Sequence, residues 1–220
     1  MNMKQRRFIL VALALLSVSC INVYVTNAPV ESRSVALTAK AEAIAVSNGI
    51  DVVVDPTLDR NEAVVTTHSD VIDYVKVYVE DSTLNIKLDA PRRFSTSRLE
   101  VRIPRFDYNT LAVSGGAEFS DNDYRSKSLT IAASGGAEVD IAGECKSMIA
   151  AASGGAELSL DELSVESANI AASGGAEVDL YVTESLVVNS SGGAEVSYKG
   201  NPAKVEASKS GGASIEHDND

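Results

Sequence analysis

The chain has 220 residues, a formal net charge of −12, two cysteines, two histidines and no tryptophan. That charge makes DNA, RNA and anionic lipid headgroups poor partners for the chain as a whole, and two cysteines supply no disulfide framework. Aromatics at 5% argue for a slim repetitive fold over a pocket lined with large side chains.

Residues 1–19 read as a signal peptide. Lys4, Arg6 and Arg7 form the basic start, residues 8–18 the apolar core, and Ser17-Val18-Ser19-Cys20 the processing site. The apolar run is too short to span a bilayer. Cys20 allows lipidation of a new N-terminal cysteine, although Ser17 stands where bacterial lipoprotein signals usually carry Leu; the other reading is plain cleavage after Ser19 or Ala28. Both say exported, and the lipoprotein reading is preferred, with a lipid anchor in the membrane as the first partner. Loss of three basic charges takes the net charge from −12 to −15.

Residues 20–33 show no periodicity and read as a tether. The domain then runs over 34–220, with a first coil and β cap at 34–110 and repeats at 111–220. In the cap, alternation predicts strands over 63–67, 75–80, 83–88 and 99–104, with a hairpin about 80–83 and a helical turn over 69–74 capped by Ser69 or Asp70. Arg92, Arg93, Arg98, Arg102 and Arg105, with Phe94, Phe106 and Tyr108, form the one mixed basic–aromatic stretch; Arg92, Arg93 and Phe94 are its candidate glycan or ligand patch.

From position 114 the chain repeats Ser-Gly-Gly-Ala-Glu, at Ser114, Ser134, Ser153, Ser173 and Ser191, and a last copy at Ser210 ends in Ser214. The steps are 20, 19, 20, 18 and 19 residues, and a divergent copy begins at Ser47. In one unit Leu129, Ile131 and Ala133 share a face before the glycines, and Ala137, Val139 and Ile141 share one after them. That is period-two alternation about a sharp corner, with a return segment of six to eight polar residues such as 142–147. One such turn buries its apolar face only by stacking on the next, ~4.8 Å away. The expectation is an all-β, right-handed parallel β-helix of about six to seven coils with an irregular N-terminal β cap. Helical solenoids fail for want of a 3.6-residue period, propeller blades need twice the repeat length, and calcium-binding nonapeptides need a nine-residue period.

Stacking places Glu118, Glu138, Glu157, Glu177 and Glu195 in one outward column. The bland reading is a solvated face that keeps the solenoid soluble; the sharper one is a surface for cations or a basic ligand. His68 and His217 fall in the cap and tail and read as surface residues, and Cys145 reads as a free thiol. No cofactor is implied, no catalytic constellation emerges, and neither the metal question nor the oligomeric state is decided by the residues.

Together, the stretch 44–52 with Gly49-Ile50-Asp51, the tandem Ser-Gly-Gly-Ala-Glu units and the closing Tyr198-Lys199-Gly200-Asn201-Pro202 make the chain resemble the head GIN domain family of auto-transporter adhesins. The resemblance covers about residues 35–216. It implies a β-helical fold and a surface location in bacteria; the name-giving Gly-Ile-Asn reads Gly-Ile-Asp here. The function expected is an exported, non-catalytic, adhesin-like module that contacts a surface glycan or protein through its ladder face. Its alternatives are an envelope protein binding carbohydrate or a small amphiphile at the cap–solenoid junction, or a polysaccharide-active enzyme.

Overall fold

Alternating small and branched apolar residues on either side of a two-glycine corner specify short strands that bend sharply and pack by stacking. The computed structural model describes residues 23–218. Its strands are β1 (Val23–Val25), β2 (Val30–Ala36), β3 (Ala43–Ser47), β4 (Asp51–Val54), β5 (Glu62–His68), β6 (Val75–Glu80), β7 (Thr83–Leu88), β8 (Arg93–Ser95) and β9 (Leu99–Ile103) in the N-terminal half. The repeats supply β10 (Thr110–Ser114), β11 (Glu118–Ser134), β12 (Glu138–Ser153), β13 (Glu157–Ala172), β14 (Glu177–Ser190), β15 (Glu195–Lys199), β16 (Lys204–Lys209) and β17 (Ser214–His217). All repeat strands pair in parallel and in register, so the chain is a parallel β-solenoid of about five turns with an N-terminal sheet region.

Two ladders flank the glycine corner. Before it run β7, β3, β10, the last residues of β11 to β14, and β16. After it run β9, β4, the first residues of β11 to β14, β15 and β17. The Ser47 copy is a true rung: Ser47 pairs with Ser114, and Asn48 (φ 68°) and Gly49 (φ 70°) make its corner. At the lower corners conformation and crowding both demand glycine. Gly174 has φ 75°, and a Cβ there would lie 3.0 Å from the Gly154 carbonyl oxygen. The corners are themselves hydrogen-bonded, with the Gly193 N–H donating to the Gly174 carbonyl at 2.7 Å.

The return segment is strand, not polar coil. It forms a third ladder, Tyr124 to Gly143 to Leu163 and Ser126 to Cys145 to Val165, entered through register shifts after Asp121, Asp140 and Leu160. Tyr124, Cys145, Leu163, Val165 and Val182 are buried from this side. The bend replaces the loop because Gly143 adopts φ 138°, where a Cβ would strike the Tyr124 carbonyl oxygen.

The inward residues of the sample unit are all buried, and so is the residue that follows each corner, from Ile50 through Ala117, Ala137, Ala156 and Ala176 to Ala194. In the next turn, Ile149 faces outward and Ala150 inward, because Ile149 pairs with Thr130 and Ala150 with Ile131. Register overrides side-chain size there.

The cap closes the upper end with antiparallel pairing, β6 on β7 and β2 on β5. The hairpin turn places Asp81 and Ser82 at φ 47° and 59°. The turn before it is a 3-10 helix over Ile72–Tyr74, without a side-chain cap. Asp70 instead accepts a hydrogen bond from the Thr26 hydroxyl at 2.6 Å. The stretch read as a tether carries β1, parallel to β8, and the start of β2, because its residues complete sheet edges that the cap otherwise exposes.

Candidate functional site

The five ladder glutamates stand where the sequence places them. Glu118 pairs with Glu138, Glu138 with Glu157, Glu157 with Glu177, and Glu177 with Glu195, and all five are exposed. The column is longer than the repeats announce. Asp51 pairs with Glu118 and Glu100 with Asp51, so acids continue upward through the cap, and Ser214 ends the column below. Asp51 follows the Ser47 corner as Glu118 follows its own, so the sequence held that signal. Glu100 follows no serine-glycine corner and is reached only through tertiary pairing. A second outward column two residues on contributes Asp140, Asp179 and Glu216 among serines.

Burial at the strand surface pushes the carboxyls of Asp51, Glu118 and Asp179 above their usual range, and neighbouring acids push further. For Glu118 those neighbours are Asp51, Glu138 and Asp140. Within the column, Glu100 is neutralised by Arg98 at 3.2 Å and by Arg102 at 3.9 Å. Among the described residues, the ion pairs within the solenoid lie off this column: Arg125 with Asp123 and Glu144, Lys146 with Glu166, Lys199 with Asp161, and Lys204 with Glu206. Among the described residues, the face after the corner therefore presents a flat, uncompensated acid lattice from Asp51 to Glu195. Among the same residues no three metal-binding side chains converge into a chelating cluster; the column offers one carboxylate per rung.

The basic–aromatic stretch does not stay together. Arg92 lies over the rings of Tyr24 and Phe94, at 4.3 and 5.3 Å, and Phe94 also meets Tyr74 at 5.7 Å. Arg93 is exposed on β8. Arg102 pairs with Asp55 at 2.8 Å. Arg105 joins a different group, the junction between cap and solenoid. There Asp121 is 2% exposed at an inward position that the next turn gives to Ile141. It is held by the Tyr108 hydroxyl at 3.0 Å, the Asp123 N–H at 3.2 Å and Arg105 at 3.2 Å. Burial raises the Asp121 carboxyl against these donors, and burial pushes the Tyr124 phenol up to about 12. Alternation from the corner, through Ala117 and Phe119, marks the position of Asp121 as inward, as it does Ile141 one turn on; what the sequence does not show is the set of donors that satisfies an acid there.

His68 departs from the surface reading, whereas His217 keeps it and is exposed. His68 is buried, with Nδ1 donating to the Ala28 carbonyl at 2.5 Å and Nε2 against Ser97 Oγ at 3.1 Å. It holds the chain before β2 onto the cap. His217 stacks on Tyr198, with centroids 4.6 Å apart, and meets the Gly200 carbonyl at 2.7 Å. Cys145 is a buried free thiol, raised by burial and donating to the Ser147 carbonyl at 3.2 Å. Cys20 and the signal segment lie outside the described residues.

Fold and site together define a β-solenoid module that displays an acid-lined face from a capped stack. The chain belongs to the family described as "Putative auto-transporter adhesin, head GIN domain", whose model matches residues 42–202. Among solved structures it is similar to a putative adhesin from Bacteroides fragilis NCTC 9343, with TM-score 0.69 and 16% identity, covering 88% of this chain and 99% of that one. It is also similar to a putative lipid binding protein from Parabacteroides distasonis ATCC 8503, with TM-score 0.55 and 17% identity, covering 90% and 100%. At these identities the likeness is one of fold. Among curated proteins none matches the chain.

Proposed function

We propose that the protein is an exported, lipid-anchored, non-catalytic adhesin-like module of the bacterial cell envelope, with the acid lattice as its working face. The observation that carries this reading is the in-register column from Asp51 to Glu195, left without ion pairs among the described residues while acids on the third ladder are paired. A rigid lattice with one carboxylate every ~4.8 Å suits a partner of matching repetition, a surface glycan or a protein bearing regularly spaced cations or hydroxyls. Each contact is shallow, and affinity then comes from many made at once. Membership in the adhesin family and Ser17-Val18-Ser19-Cys20 support the exported, anchored state.

The test coats beads with full-length protein and measures retention on host-cell and bacterial surfaces. Glu138→Gln/Glu157→Gln/Glu177→Gln is compared with Arg92→Ala/Arg93→Ala. Retention lost only in the ladder variant supports the reading, and retention unchanged there sinks it. Intact mass and membrane partitioning of the wild type beside Cys20→Ala test the anchor separately.

A further inference from the structure

The third ladder begins at Tyr124 and, among the described residues, nothing pairs above it, so the cap rungs have two walls of strand and a third side closed by coil. Residues 37–42, between β2 and β3, and residues 104–109, between β9 and β10, cross that side. Between them opens a cleft of about 790 Å³, well within the range of ~300–1,000 Å³ that small-molecule sites occupy. It reaches the core: Leu84 and Leu37 line it together with Val79 and Phe106, where the regular turns have a sealed wall.

The rim has the opposite character. Lys40 and Arg60, both exposed, line the cleft, and so does Arg105. Arg105 is already committed to Asp121 and Asp123. Among the described residues, the ion pairs that neutralise Arg33, Arg98 and Arg102 leave out Arg60, and Lys40 has only a 3.9 Å approach to Glu42. One acid, Asp107, also lines the cleft. Negative charge is concentrated elsewhere: residues 34–110 carry nine basic and twelve acidic side chains, residues 111–218 six and seventeen.

We propose that this cleft binds a single-chain anionic amphiphile, with the alkyl chain on Leu84, Val79 and Phe106 and the carboxylate at Arg60 and Lys40. An apolar floor alone would take any hydrocarbon. The uncommitted guanidinium at the mouth selects the sign of the headgroup, because a charge-assisted hydrogen bond is about twice as strong as a neutral one. The site is distinct from the acid lattice and from the Arg92–Phe94 patch, and it stands without either.

The experiment is calorimetric titration of the full chain with dodecanoate below its micellar concentration. Acetate tests the headgroup alone, and dodecyltrimethylammonium tests the chain with the opposite charge. Saturable binding of one dodecanoate is expected, with no acetate heat and at least tenfold weaker binding of the cation. Arg60→Ser is expected to weaken dodecanoate roughly tenfold, and Ala39→Trp, placed on the exposed lining loop, to abolish binding. Melting temperatures of both variants should match wild type, and Glu138→Gln should bind as wild type does. The assignment is overturned if dodecanoate gives no saturable heat, if the cation binds equally well, or if both cleft variants bind like wild type.

Discussion

The corner column allows opposite substitutions at equivalent places, which makes it a sharp test of the stacking. Ala156 is 1% exposed, and its carbonyl accepts from the Glu177 N–H at 2.9 Å while the rung above is joined through the Glu157 N–H and the Ala137 carbonyl at 2.8 Å. Its side chain is therefore confined between the alanines of two neighbouring turns. Ala156→Leu adds three carbons to that column, and overpacking of this kind costs about 1–3 kcal/mol. For a chain of this size, each kcal/mol moves the melting temperature by roughly 2–4 °C, so a loss of about 2–12 °C is expected. The top corner holds Ile50, fully buried, where the others hold alanine. Ile50→Ala should leave a cavity and cost about 2–5 kcal/mol. Thermal melts followed by far-ultraviolet circular dichroism measure both. If Ala156→Leu melts with wild type while Ile50→Ala is also neutral, the inward assignment of the corner is wrong.

Further expectations follow from the charge lattice and the bends. Glu157 has a glutamate on each side and Glu195 only one, since its other neighbour is Ser214. Exposed like charges ~4.8 Å apart repel by about 1 kcal/mol before screening and roughly half that at physiological salt. Glu157→Gln should thus stabilise about twice as much as Glu195→Gln, by no more than ~1 kcal/mol, and both gains should shrink in 1 M salt; equal or salt-independent effects in urea titrations would refute this. Asp51, Glu118 and Asp179 titrate above their unfolded values of 3.8, 4.5 and 3.8. The folded chain then binds more protons than the unfolded one through and just above that range. The stability these groups contribute is full below their unfolded pKa values and is lost as pH rises through the folded ones. Melting temperature at low salt should therefore rise as pH falls from neutrality toward those unfolded values, less so in Glu118→Gln, whereas a steady fall over that range would reverse the sign. Gly143→Ala must adopt φ 138° against the Tyr124 carbonyl, and should cost at least ~2 kcal/mol; an unchanged denaturation midpoint would show that the bend relaxes freely.

The regular part of this fold was legible because its physics is local and repeated. A Ser-Gly-Gly corner with alternation on both sides specifies one turn, and a step of 18 to 20 residues specifies that turns stack, so the column from Glu118 to Glu195 follows from the repeat. Divergence does not hide a rung when its corner keeps φ > 0, as Asn48 and Gly49 show. Where the return bends, parity is lost, and the sequence alone reads strand as coil; at Asp121 parity still holds, and it is the partners of this buried acid, Tyr108 and Arg105, that only packing supplies.

Residue order therefore settles the repeat, its inward and outward faces, and the acidity of one of them. Long-range packing settled the rest. It joined Glu100 and Asp51 to the column across an insertion, scattered the arginines of the cap among unrelated partners, placed His68 in the interior, and left the third side of the cap open between two coil crossings. The reason is range: corner and alternation act between adjacent residues, whereas these placements depend on contacts between segments tens of residues apart, whose register no local pattern encodes.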